Sequence, residues 1–252
     1  MELLEQYRKL LHIPYEVRTI RASTLASYWW CSEKARLTAL GVQSKTSWQA
    51  QWGTIVHNNI TKSRNPSPTE QEFARALKPF YQTGDDGEPI ICRAYKNSKI
   101  QADGQFLTHG ADEWKVTPDH ICWNIEYKTK TSNYITPVDL SPARFQTKLY
   151  CWLHAPIFEL IKFTLGGAQI VFLQRKGKEG DFEPIGQTEY MHWNQETENQ
   201  LLLDIERILW TWNNPDKQYP PKRWKCLKCP QIYKSKCFFQ TGEIWKNGQQ
   251  NI

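Results

Sequence analysis

Thr117-Pro118-Asp119-His120-Ile121-Cys122-Trp123-Asn124-Ile125-Glu126-Tyr127-Lys128 is the stretch that decides the fold. Apolar residues dominate it and charged ones punctuate it, which is the pattern of half-buried strands. Two strands are expected, Lys115–Cys122 and Ile125–Thr129, paired as a hairpin around a tight turn at Trp123-Asn124. Side chains two apart share a face, so Glu126 and Lys128 point the same way. With that turn Asp119 lies opposite Lys128 and joins them. Two carboxylates on one face make a hard oxygen site for Mg²⁺ or Mn²⁺. A bound divalent ion polarises a phosphoryl group and acidifies a bound water. A lysine beside it can orient that water or stabilise charge developing on the phosphate. Asp112 competes with Asp119 as the first carboxylate, on a longer hairpin. The same residues also suit a hairpin that merely shows its polar side chains to solvent.

Around the hairpin the period changes. Upstream, helices are expected over 2–11, from a Ser23-Thr24 cap through Leu40, over Ser47–Lys62 and over Glu70–Tyr81. Two strands, Pro89–Tyr95 and Ile100–Thr108, then lead into the hairpin. Downstream come a helix over Ser141–His154, strands Gln169–Gln174 and Ile185–Trp193, and a long amphipathic helix over Asn194–Asn213. This order predicts an α/β fold, a central mixed sheet flanked by helices, with N-terminal helices and a C-terminal cysteine clip. One domain is expected over 1–240: a helical part over 1–82, a core over 88–213 and the clip over 214–240. A polar tail follows over 241–252.

Composition narrows the class. The formal charge of +6 permits a polyanionic partner without requiring one. A mean hydropathy of -0.66 and short apolar runs exclude a spanning helix. The N-terminal MELLEQYRKLLH is charged and amphipathic, unlike a signal peptide, so a cytoplasmic location is expected. Seven cysteines are an odd number for a chain without a secretory signal, and a disulfide framework is not expected.

The hairpin, taken with its flanking helices, resembles the PD-(D/E)XK nucleases, and among them the RecB-like exonucleases. Gly53-Thr54-Ile55-Val56-His57 is similar to the family's Gly-x-x-x-His helix. Gln146-Thr147-Lys148-Leu149-Tyr150 is similar to its Gln-x-x-x-Tyr helix, where i and i+4 residues share a face. The four elements stand in the family's order. The resemblance implies a restriction-endonuclease-like core in which His57, Asp119, Glu126 and the Tyr127 carbonyl hold Mg²⁺ or Mn²⁺. It further implies that Lys128 positions the attacking water, while Gln146 and Tyr150 steady the lysine and contact the strand. The implied activity is metal-dependent degradation of single-stranded DNA from an end. His120 and His154 are expected not to be ligands.

Cys226, Cys229 and Cys237 fall within twelve residues, and a tetrahedral site needs a fourth ligand. Cys31, in a segment N-terminal to the core, resembles the single upstream cysteine of RecB-like nucleases that carry a 4Fe–4S cluster. The nuclease domain of AddB and the CRISPR-associated RecB-like exonucleases belong to that group. The resemblance implies a cluster held by Cys31, Cys226, Cys229 and Cys237, stapling the chain ends together. Structural zinc is the rival occupant, and free thiols are the bland alternative. Ser32 and the long Cys229-to-Cys237 spacing depart from the family pattern. Cys92, Cys122 and Cys151 lie in apolar patterns and are expected in the core.

Lysines and arginines concentrate around the clip, with Trp224 and Tyr233 among them. Lys222, Arg223, Trp224 and Lys225 are the expected DNA contacts, through phosphate neutralisation and base stacking. The partners implied are single-stranded DNA or DNA ends, with a CRISPR integrase or recombination proteins beside them. The expectation from another class is a non-catalytic DNA-binding or scaffold module organised by the clip.

Overall fold

The computed structural model describes residues 20–45, 47–62, 65–78, 81–83, 89–91, 106–109, 113–176, 181–214, 217 and 221–241. The expected helix over 2–11, Cys92, Asp112 and the tail beyond Thr241 lie outside these residues. The elements in order are β1 (Ile20–Arg21), α1 (Ala22–Ala26), α2 (Ser32–Ala39), α3 (Trp48–Lys62) and α4 (Pro68–Leu77). Next come β2 (Tyr81–Thr83), β3 (Pro89–Ile91), β4 (Phe106–His109), β5 (Glu113–Val116) and β6 (Ile121–Lys130). Then follow α5 (Pro137–Ile161), β7 (Thr164–Lys176), β8 (Asp181–His192) and α6 (Gln195–Asn213). Three short helices close the described chain: α7 (Arg223–Leu227), α8 (Gln231–Lys234) and α9 (Phe238–Thr241).

The fold is mixed α/β. The central sheet has the order β5-β6-β7-β8, and a smaller sheet has the order β1-β4-β3-β2. In the central sheet β6 and β7 run parallel, while both outer pairs are antiparallel. The parallel pair needs a crossover, and α5 supplies it. Alternation divides the sheet's faces. Cys122 packs with Leu149, Leu153 and Phe158 of α5, and with Leu201 and Ile205 of α6. Tyr127, Val171 and Leu173 pack with Trp52 and Val56 of α3 on the opposite face.

The hairpin differs from expectation. No turn forms at Trp123-Asn124; β6 runs unbroken through both residues. The chain reverses at Thr117–His120, where the Thr117 hydroxyl accepts from the Ile121 N–H at 3.2 Å and the His120 N–H donates to the Thr117 carbonyl at 3.0 Å. Pro118 and Asp119 are turn residues of the kind that favour reversal, while Trp123 and Asn124 continue the strand because both faces there are covered. The ladder pairs Glu113 with Ile125 and Val116 with Cys122.

The helix expected from Ser23 through Leu40 is also interrupted. It breaks at Trp30-Cys31, and Cys31 is extended at φ -161° before α2 begins. α5 is longer than its apolar pattern, since Thr136 and Asp139 form a capping box well ahead of Ser141. Pro142 and Pro156 lie inside it.

Candidate active site

The β6 strand delivers Glu126 and Lys128 to the face covered by α5. Glu126 is 1% exposed. The Lys128 ammonium donates to Glu126 Oε1 and, at 3.0 Å, to Gln146 Oε1. Gln146 Nε2 in turn donates to the Tyr150 hydroxyl at 2.7 Å. The result is a chain from carboxylate to lysine to amide to phenol. Strand period sets the first pair and the helical i, i+4 spacing sets the second. The amide is fixed in one sense, because its oxygen faces the lysine and its nitrogen faces the phenol.

α5 is held over β6 at its N-terminal end as well. Lys130 forms an ion pair with Asp139, which also accepts from the Thr136 N–H at 2.9 Å and its hydroxyl at 2.6 Å. Burial works to raise the Asp139 pKa, but the hydrogen bonds from Lys130 and Thr136 outweigh it and hold the carboxyl below its usual value. Sequence reading passed over this pair; the signal was Asp139 at the third helical position after Thr136.

Asp119 does not join the cluster. It is exposed in the turn at the far end of β6 from Lys128, because the chain reverses before β6 begins at Ile121 and not at Trp123-Asn124. The hairpin is the longer one, and Asp112 is the carboxylate that belongs to that reading. His57 is on α3, one turn beyond Gly53. Gly53 sits where an added Cβ would meet Thr129 Oγ1 at 3.3 Å, so the small residue allows α3 its close approach to β6. The described contacts of α3 are with the face opposite Glu126, and the His57 side chain lies outside the described residues. The Tyr127 ring is on that opposite face too, where its hydroxyl donates to Glu113 Oε2 at 2.6 Å.

His154 and His120, expected not to be ligands, both stand against aromatic rings. His154 is fully buried against Trp114 and Phe158, with Nδ1 at 2.7 Å from the Tyr150 carbonyl. Burial pushes its pKa down to about 4, so the ring is neutral and donates from Nδ1. His120 takes a left-handed φ of 59° in the turn and stacks on Phe163 at 4.7 Å.

The cysteines form a second centre. Cys31, Cys226, Cys229 and Cys237 line one cavity, with Trp30, Lys34 and Lys225 among its walls. Burial raises the Cys31 thiol pKa, and Cys226 and Cys229 raise it further, which reports their closeness. The four thiols are spaced around the cavity: among the described residues, no three His, Cys, Asp or Glu side chains converge on a point as one ion requires. Cys122 and Cys151 are fully buried in the core, as expected.

No family model and no curated protein matches the chain. Solved structures do align with it over nearly their whole length. The protein SSO0001 covers 94% of this chain, with 96% of its own, at 17% identity and a TM-score of 0.44. A candidate exonuclease from Eubacterium rectale covers 98% of this chain, with 98% of its own, at 10% identity and a TM-score of 0.45.

Of the expected DNA contacts, Lys222, Arg223 and Trp224 are exposed around α7. Lys225 is partly committed: its ammonium donates to the Trp30 carbonyl at 2.7 Å and lies 5.1 Å above the Trp30 ring. No helix among the described residues is long and apolar enough to cross a membrane.

Proposed function

We propose that the protein is a metal-dependent PD-(D/E)XK exodeoxyribonuclease acting on single-stranded DNA ends, with a 4Fe–4S cluster in the cysteine cavity. The observation that carries the nuclease reading is the Glu126–Lys128–Gln146–Tyr150 chain, with Glu126 and Tyr150 buried and Lys128 and Gln146 half-buried. A buried charged pair costs desolvation and is weak as a stabilising device. A lysine held at a fixed point by a carboxylate and an oriented amide is suited to placing a water or a phosphate oxygen.

A divalent ion at Glu126 would supply Lewis acidity and a more acidic water. It needs more than one protein oxygen. The described ladder ends with Glu113 opposite Ile125; in the sequence Asp112 precedes Glu113 and Glu126 follows Ile125. In this reading Asp112 is the second carboxylate in place of Asp119, with His57 and the Tyr127 carbonyl as the further ligands that the family resemblance implies. Lys128 orients the water, and Gln146 and Tyr150 hold the lysine.

Four thiols lining one cavity, with no three side chains converging on a point among the described residues, fit a polynuclear cluster better than one zinc ion. Zinc would draw its sulfurs to within about 2.3 Å of one point. The role in CRISPR adaptation or in recombination is the biological setting we favour for such an enzyme.

The test is hydrolysis of end-labelled single-stranded DNA with Mn²⁺. Wild-type protein should shorten the strand, Glu126→Gln and Lys128→Ala should each lose about 100-fold or more, and Gln146→Ala about tenfold. DNA left intact by iron-loaded wild type, with the variants indistinguishable from it, would leave the non-catalytic scaffold as the surviving reading.

A further inference from the structure

The walls of the cysteine cavity carry charge of one sign. Lys34, Lys225 and Lys234 line it beside Cys31, Cys226, Cys229 and Cys237, and among the described residues no carboxylate does. All three lysines are half-buried, and each is held by something other than an acid. The Lys225 ammonium donates to the Trp30 carbonyl at 2.7 Å and lies 5.1 Å from the Trp30 ring. The Lys34 ammonium lies 5.5 Å from the Tyr233 ring. The Lys234 ammonium donates to the Leu227 carbonyl at 3.3 Å. Among the described residues none of the three forms an ion pair with a carboxylate. Glu33, next to Lys34 in the chain, is taken by the Arg36 guanidinium and the Phe238 N–H. The groups that these ammoniums do face are the sulfurs. Burial raises the Cys229 thiol pKa, and Lys34 and Lys234 both work to lower it. Burial and Cys229 raise the Cys226 thiol, and Lys234 opposes them. Burial lowers the Lys225 pKa, and Cys31 works to raise it.

We propose that Lys34, Lys225 and Lys234 are the counter-charges of a four-thiolate metal centre, and that they set how firmly it keeps its metal and how readily a cluster there takes up an electron. Four thiolates outweigh the charge of a zinc dication or of an oxidised 4Fe–4S core, so the loaded centre is an anion. An anion taken partly out of water is costly unless cations stand near it. Groups around the ligands tune a metal site in this way, through charge and through the positions they hold. An added electron deepens the negative charge of a cluster, so cations at its edge favour the reduced state. The charges come from both ends of the chain, as the thiols do. Lys34 is on α2 with Cys31 at its N-cap, while Lys225 and Lys234 belong to the clip. Lys225 has a second part, since its bond to the Trp30 carbonyl ties the clip to the neighbour of Cys31. Counter-charge of this kind presupposes that the four cysteines hold a metal, as proposed above, and is indifferent to which metal.

The experiment uses full-length protein purified anaerobically and free of DNA. It reads the rate of metal release to a colorimetric chelator and, for iron-loaded protein, the ratio of reduced to oxidised cluster at a fixed potential. Lys34→Gln and Lys234→Gln are the variants, because Lys225→Gln would also disturb the bond to Trp30. Each should speed metal release about tenfold. Each should also lower the reduced-to-oxidised ratio about tenfold, which is about 59 mV for a one-electron couple. Lys34→Arg and Lys234→Arg keep the charge and should behave like wild type. Glutamine variants within roughly twofold of wild type on both quantities would overturn the counter-charges. Arginine variants that lose metal as fast as the glutamine ones would overturn them too, because a merely structural role predicts that result. The two readings separate. Iron-loaded wild type with glutamine variants like it keeps the cluster and loses the counter-charges. Zinc-loaded wild type whose glutamine variants release metal fast, with rescue by arginine, keeps the counter-charges and loses the cluster. Wild type that holds neither metal overturns both.

Discussion

At Lys128 a single ammonium is shared between the Glu126 carboxylate and the Gln146 amide oxygen. The strand's two-residue period placed the first of these contacts on a common face, and the sequence read that correctly. The Gln146–Tyr150 bond was legible from helical spacing in the same way. Asp119 was not, because its placement depended on where the hairpin turns. A turn is a local choice among competing signals: Trp123-Asn124 and the Pro118-Asp119 segment both offered one. The second won because Trp123 and Asn124 are more useful as covered strand residues; Asn124 is fully buried, and its amide donates to the Glu113 carbonyl at 3.3 Å. His154 yields a prediction at this scale. Its folded pKa of about 4 lies below the ordinary 6.5, so the unfolded chain binds the extra proton. The stability this histidine confers as a neutral group is complete above pH 6.5 and drains away as pH falls toward 4. The full loss is about 3 kcal/mol. His154→Leu should flatten that part of the denaturation-midpoint-against-pH curve; an unchanged slope would show that another group titrates there.

The strands and helices were more legible than their ends. β7 and β8 both run longer than their apolar cores suggested, because antiparallel pairing carries them from Gly167–His192 out to Lys176–Asp181. Gly167 sits where the pair is tightest. Its φ is 147°, and an added Cβ would lie 1.9 Å from the Met191 carbonyl oxygen. Gly167→Ala should therefore destabilise the fold by more than about 2 kcal/mol, from strain and strand separation together. Chemical denaturation reads this directly, and a loss under about half a kcal/mol would contradict the packing described. Gly53 is a milder case. Its Cβ position is 3.3 Å from Thr129 Oγ1, so alanine asks for a small shift while leucine would push α3 off the sheet. The break at Trp30-Cys31 escaped the sequence because nothing local requires it. It serves a contact distant in the chain, presenting Cys31 to the C-terminal clip.

Across the whole molecule, the clip is docked by ordinary protein contacts. The Phe238 N–H donates to the buried Glu33 carboxylate at 3.2 Å, and the Tyr233 hydroxyl donates to the Val42 carbonyl at 3.0 Å. Phe239 is fully buried. These bonds bridge the two ends of the described chain without any cofactor, which no spacing of cysteines could have announced. In the cluster reading proposed above, Cys31→Ser should abolish iron retention and lower the thermal midpoint, while these contacts leave a folded protein with native circular dichroism. A variant that keeps its iron would remove Cys31 from the ligand set. Glu33→Ala should cost stability in its own right, about 2 kcal/mol, since it removes the acceptor of the Phe238 N–H and the carboxylate that pairs with Arg36 at 2.8 Å.

The site itself turns on the longer hairpin, and one comparison reaches it directly. Initial rates of Mn²⁺-dependent shortening of single-stranded DNA are measured for wild type, Asp112→Asn and Asp119→Asn. Wild type should cut, Asp112→Asn should fall about 100-fold or more, and Asp119→Asn should cut like wild type. An inactive wild type, or an Asp119→Asn variant that loses as much as Asp112→Asn, would contradict it.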